Sequence, residues 1–214
     1  MAKAPIFGAV KTRLRLPPYR AAALQAAFVR DTVEKTRALE LGPVSIAGTS
    51  PDRLFLLEPL LSEKGVKLVA QSGENLGERM YFAAATLIAQ AEPGPVLILG
   101  THSPTLPPDR LRSATRALKG GRPGESSSYY AAIVGSTDGG YVLLGLWESY
   151  KELFRGIEWY TGTVYRGTIG KARALGLRVH EGEPHYDVDT PKTWSTSKKS
   201  SKKAPIRPHT RRSS

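Results

Sequence analysis

The 214-residue sequence predicts an α/β domain, a three-layer sandwich whose mainly parallel sheet is covered by helices on both faces. Three observations carry that expectation. Apolar runs of strand length alternate with amphipathic runs of helical length, and glycine or proline marks most of the boundaries between them. The turns after the strands are built from small, glycine and carboxylate residues, which is where ligands bind in sheets of this kind.

The first segment, "KAPIFGAVKTRLRLPP", is a basic loop punctuated by Pro5, Gly8 and Pro17. It feeds a helix over 20–40, where Leu24 and Phe28, then Val29 and Val33, recur at i,i+4 spacing. "PVSIAG" (43–48) reads as a strand, "RLFLLEPLLSEKG" (53–65) as a helix ended by Gly65, and "VKLVAQ" (66–71) as a second strand. A helix over 76–91, a strand over 95–100 and a helix over 108–120 follow. "GGRPGESSS" (120–128) is expected to be a flexible loop, and strands over 129–135 and 141–146 come after it. A late strand, "LRVHEG" (177–182), leads into "EPHYDVDTPKTW", where Asp189 or Thr190 is placed to cap a last helix that has Pro191 in its first position. No internal repeat is present.

The net charge of +12 is localised. Residues 1–20 hold five cations and no acid, residues 195–214 hold seven and no acid, and the 19 cations in between balance 19 acids. A neutral body argues against a nucleic-acid-binding surface. The segment "STSKKSSKKAPIRPHTRRSS" has too little apolar surface to offset its ordering entropy, so the expectation is one domain over 1–194 and a disordered basic tail over 195–214. Such a tail contacts polyanions weakly at most. No run approaches the ~20 apolar residues of a membrane span, and the N-terminus lacks the apolar region of a signal peptide, so a cytoplasmic location is expected. The absence of cysteine removes disulfides, thiolate nucleophiles and thiolate zinc sites.

The basic loop is suited to phosphate. A turn around Gly8 exposes backbone N–H groups, Lys3, Lys11 and Arg13 supply charge, and a helix N-terminus follows. Four later turns add "SGENLGERM", "THSPTLP", "STDGGY" and the "DVDTP" segment. Asp138 in the third either acts chemically or opens the turn, as Asp and Gly often do.

Six motifs, "KAP..G.VKTRL" (3–14), "LGERM" (76–80), "GTHSPTLP" (100–107), "DGGYVLLGL" (138–146), "FRGIEW" (154–159) and "DVDTP" (187–191), together resemble a bacterial glycosyltransferase-like family. Its members are called radical-SAM/selenodomain-associated transferases and are related to molybdenum-cofactor and phospholactate guanylyltransferases. The resemblance covers about residues 3–192 and implies the GT-A, nucleotide-diphospho-sugar transferase-like fold. It implies a transferase that uses a nucleotide donor, glycosyl or nucleotidyl, with an acceptor the motifs do not specify. Lys3, Gly8, Lys11 and Arg13 then fall at the nucleotide phosphates, and Gln71, Gly77 and Arg79 along the base pocket. Asp189 or Asp187 falls where relatives bind a divalent cation, Mg2+ or Mn2+; Asp138 and Asp189 become the catalytic candidates, and Tyr141 and Trp159 border the acceptor.

The chain departs from that pattern in four places. His102 stands where the family motif has its principal metal-binding Asp; a neutral imidazole ligates Mn2+ but is a poor ligand for Mg2+ and brings no negative charge. The run Gly135-Ser136-Thr137-Asp138 replaces Gly-Pro before Asp-Gly-Gly-Tyr, and Asn75-Leu76-Gly77 replaces Asp-Leu-Gly. The family's first strand, which precedes the basic loop, is represented only by Met1 and Ala2. The alternative expectation is therefore a degenerate, truncated relative that binds nucleotide weakly or not at all and has no turnover.

Overall fold

The computed structural model describes residues 1–49, 51–61, 65–90, 94–120 and 129–201. The loop expected over 120–128 lies almost wholly outside them. The basic loop closes in a short turn of 3-10 helix at Thr12–Leu14, flanked by Lys11 and Arg15 in left-handed conformations. Helix α1 (Pro18–Ala38) starts directly after it, with proline in the first turn, where its missing N–H costs nothing. Val29 and Val33 face strand β1 (Ser45–Gly48) within one buried cluster.

Strand β2 (Lys67–Ala70) runs parallel to β1 in register Ser45 to Lys67. Of the helix expected over 53–65, the described residues 53–61 form no α-helix; 3-10 turns stand at Pro51–Leu56 and Glu58–Leu60. Pro59 lacks the N–H that an α-helix would need there, which breaks the run. Then come α2 (Leu76–Gln90), β3 (Val96–Leu99), α3 (Pro108–Lys119), β4 (Ala131–Ser136) and β5 (Tyr141–Leu146) in the expected order, two helices that the sequence reading did not include, α4 (Lys151–Phe154) and α5 (Val164–Ala174), and finally β6 (Val179–His185) and α6 (Pro191–Ser201).

The strands β3, β5, β4 and β6 form a sheet in that order. β4 and β6 are parallel, and β5 runs antiparallel to both its neighbours. Every residue of β4 is buried, as its position between β5 and β6 under covering helices requires. The expected α/β architecture is thus present, with the reversal confined to β5.

Helix α6 continues through Ser195–Ser201, inside the stretch expected to be disordered. Two features order it. Thr190 caps its N-terminus by accepting the N–H of Thr193 at 3.3 Å, and Trp194 packs against Phe28 with ring centroids 6.3 Å apart. Residues 202–214 lie outside the described structure. Among the described residues, no helix is long and apolar enough to cross a membrane.

Ahead of the basic loop the chain adds one bridge to the end of β1. Ala2 forms a parallel bridge with Gly48, donating its N–H to Ala47 at 2.8 Å and accepting that of Thr49 at 2.9 Å. The amino group of Met1 donates to the Leu99 carbonyl at 2.8 Å and is buried, which pushes its pKa from 8.0 down to about 6. Between those values the unfolded chain holds a proton that the folded chain lacks, so raising the pH favours the folded state. Chemical denaturation is expected to give a stability that climbs by up to about 3 kcal/mol from pH 6 to pH 8. A flat profile would contradict the burial of this amine.

Candidate functional site

A cavity of about 550 Å³ opens where β1, β2 and β3 end, bordered by Thr49, Gln71 and the Gly100–His102 turn. The basic loop closes one side, the β4–β5 turn with Asp138 another, and the segment after β6 brings in Asp187 and Asp189. Residues 178 positions apart meet here. This is the expected carboxyl-end location, and it gathers most of the residues singled out in the sequence.

At its centre is a set of charges that neutralise one another. The Lys11 ammonium donates to Asp189 Oδ1 at 2.9 Å and to the Val188 carbonyl at 3.0 Å, and lies 4.6 Å from the centre of the Phe28 ring. Its side chain is only 1% exposed. The other oxygen of Asp189 accepts from His102 Nδ1 at 3.0 Å. Asp187 accepts from the Ser103 hydroxyl and, at 3.4 Å, from that of Ser136. The Val188 N–H donates to the His102 carbonyl at 2.8 Å, which ties the late segment to the β3 turn. Since Thr190 performs the capping of α6, the Asp189 side chain is left to the cavity.

Burial alone would raise the pKa of Asp189, but the His102 hydrogen bond and charge and the Lys11 ammonium together hold it well below the usual carboxylate range. Burial lowers that of Lys11, against the pull of Asp189. Burial raises that of Asp187, reinforced by Asp189 and Asp138 and opposed by the Ser103 hydrogen bond and His102.

These donors do not fit a hard divalent cation in this arrangement. Both oxygens of Asp189 are engaged, one by an ammonium that would repel the metal, and Asp187 is tied to two hydroxyls. Among the described residues, no group of three or more His, Asp or Glu could hold a metal ion.

The remaining candidates divide. Lys3 and Arg13 border the cavity with exposed side chains. Lys11 is instead an internal counter-ion. Gly8 lies outside the lining; it adopts φ +75, which turns the loop. Arg79 borders the cavity and also braces the preceding loop through the Gly73 and Glu74 carbonyls at 3.1 and 3.2 Å. Gly77 is a packing position: a Cβ there would come within 2.5 Å of the Trp159 ring, so this glycine lets Trp159 lie against α2 at the cavity wall. Gln71 points its amide N–H toward the Ala47 carbonyl at 2.7 Å and leaves its buried Oε1 without a partner among the described residues.

Asp138 borders the cavity and also accepts the Gly140 N–H at 3.2 Å, which holds the β4–β5 turn. Tyr141 lines the wall with its hydroxyl 3.6 Å from the Met80 sulfur, its pKa raised by burial. Thr101 was missed: the residue lines the cavity, and its hydroxyl is buried and has no partner among the described residues. Its place directly before His102 was the available signal.

No curated protein matches the chain. A crystal structure from Desulfovibrio desulfuricans G20, provisionally named a nucleotide-diphospho-sugar transferase, aligns at TM-score 0.77 and 30% identity over 88% of this chain and 80% of that one. The profile of a family described as uncharacterized protein conserved in bacteria (DUF2064) matches residues 32–161. With more than half of its length inside that profile and a fold shared with the Desulfovibrio protein, the chain belongs to the DUF2064 family.

Proposed function

We propose that the chain is a transferase that takes its donor as a nucleotide, most simply a nucleotide-diphospho-sugar. The observation that supports this reading is the cavity itself: about 550 Å³ at the carboxyl ends of β1, β2 and β3, with exposed Lys3 and Arg13 on one wall and Asp138 on the other. The phosphates lie against the basic loop, whose charge stabilises the diphosphate as it leaves. The acceptor hydroxyl forms the new bond to the sugar carbon, the bond from that carbon to the diphosphate oxygen breaks with its electron pair, and the hydroxyl proton passes to the Asp138 carboxylate. The resemblance also implies a divalent cation and a nucleotidyl-transfer variant, in which the donor is a nucleoside triphosphate and pyrophosphate leaves.

The engagement of Asp189 by Lys11 favours a second reading, a relative that binds nucleotide without turnover. The two separate in one experiment. Incubation with UDP-sugars, GDP-sugars and GTP, with and without Mn2+, is followed for release of nucleoside diphosphate or pyrophosphate. Release that falls about 100-fold in Asp138→Asn while nucleotide binding persists supports the transferase. Binding with no release from any donor supports the second reading.

A further inference from the structure

Asp189 stands where the resemblance implies a divalent cation, yet both of its carboxylate oxygens are taken by donors of this chain. The Lys11 ammonium lies 2.9 Å from Oδ1, a charge-assisted hydrogen bond. A hard cation bound to the same oxygen, at about 2.0–2.6 Å, would be pressed against that ammonium with one carboxylate between them.

Lys11 is built into this place rather than reaching it from the surface. Its backbone takes the left-handed conformation, φ 50, which a non-glycine residue enters at a cost, and its side chain is buried while the neighbouring Thr12 and Arg13 stay exposed. The Val188 carbonyl at 3.0 Å is its second acceptor, and the Phe28 ring lies 4.6 Å away. Phe28 is itself buried and packed against Trp194, so the ammonium has a fixed seat. Lysine has one more N–H to give, which finds no acceptor among the described residues although Lys11 borders the cavity.

We propose that the Lys11 ammonium occupies the place of the divalent cation, and that the site holds its anionic ligand, which under the proposed function is the donor diphosphate, without a metal. One ammonium carries half the charge of Mg2+ or Mn2+, and the exposed cations of Lys3 and Arg13 at the cavity border add to it. His102 completes the arrangement: its Nδ1, 3.0 Å from Oδ2, engages the second oxygen that a metal would need.

Mn2+ alone, followed by its paramagnetic resonance signal, is the first probe, because it requires no nucleotide. The native chain is expected to bind no Mn2+ more tightly than about 1 mM. Lys11→Met frees Asp189 Oδ1 beside Asp187 and His102, so it is expected to bind one equivalent at least about 10-fold more tightly than the native chain, and to lose that gain when Asp189→Asn is added. One equivalent held by the native chain below about 1 mM and removed by Asp189→Asn overturns the proposal, as does a folded Lys11→Met chain with no gain. If Lys11→Met does not fold, the native chain and Asp189→Asn decide between these outcomes. UDP and GDP are then titrated into the native chain in EDTA and in Mn2+. The two dissociation constants are expected to agree within about 3-fold, and a larger tightening by Mn2+ overturns the proposal. Failure of both nucleotides in both buffers would contradict the proposed function, and the Mn2+ titration would still decide the place of Lys11.

Discussion

Lys11→Met is expected to destabilise the protein by about 3 kcal/mol, read as a fall in Tm of about 10 °C. The substitution keeps the length of the side chain and removes its charge, which leaves the Asp189 carboxylate short of one partner in a site where it is only 21% exposed. It also leaves the Val188 carbonyl without its 3.0 Å donor and ends the cation–π contact with Phe28. Adding Asp189→Asn to Lys11→Met should restore much of the loss, because the cost lies mainly in the uncompensated carboxylate. Removal of the exposed partner in the Arg112–Asp109 pair provides the contrast and should change stability by less than about 0.5 kcal/mol. Equal effects at the two pairs would show that Lys11 is not the internal counter-ion described.

His102→Asp is expected to make ligand binding depend on Mg2+. The imidazole now donates to Asp189 at 3.0 Å; a carboxylate in its place removes the donor and sets two anions side by side, with Asp187 close by. Without metal the variant should melt below the native protein through like-charge repulsion. With millimolar Mg2+ it should recover and bind nucleoside diphosphate at least about 10-fold more tightly than without, since hard oxygen donors then outnumber the single Lys11 ammonium. Calorimetry that shows no gain from Mg2+ would contradict the assignment of residue 102 to a metal position.

The order of strands was legible because most are short apolar runs bounded by glycine or proline, β6 (VHEGEPH) being the polar exception, and the cavity was legible as a set of turns at the ends of those runs. What sequence reading missed depends on partners distant in the chain. Lys11 looks like its neighbours Lys3 and Arg13 until Asp189 and Phe28 are placed beside it, and only then does it prove to be a buried counter-ion. Gly77 looked like a nucleotide-loop residue because of its motif, whereas its position is set by the Trp159 ring against α2. The failed helix over 53–65 has a local cause that was visible, Pro59, but the apolar content of the run outweighed it. The ordered start of α6 was hidden for a third reason: its polar composition suggests disorder, and one aromatic contact from Trp194 to Phe28 reverses that.

The account depends on a diphosphate lying between the exposed cations of the first loop and the acidic turn across the cavity. Calorimetric titration of UDP and GDP into the native chain and into the Lys3→Ala/Arg13→Ala variant, in EDTA and low salt, tests it most directly. Saturable binding to the native protein that weakens at least about 10-fold in the variant, at unchanged Tm, is the expected result. No binding of either nucleotide, or binding of the same strength to both proteins, would contradict it.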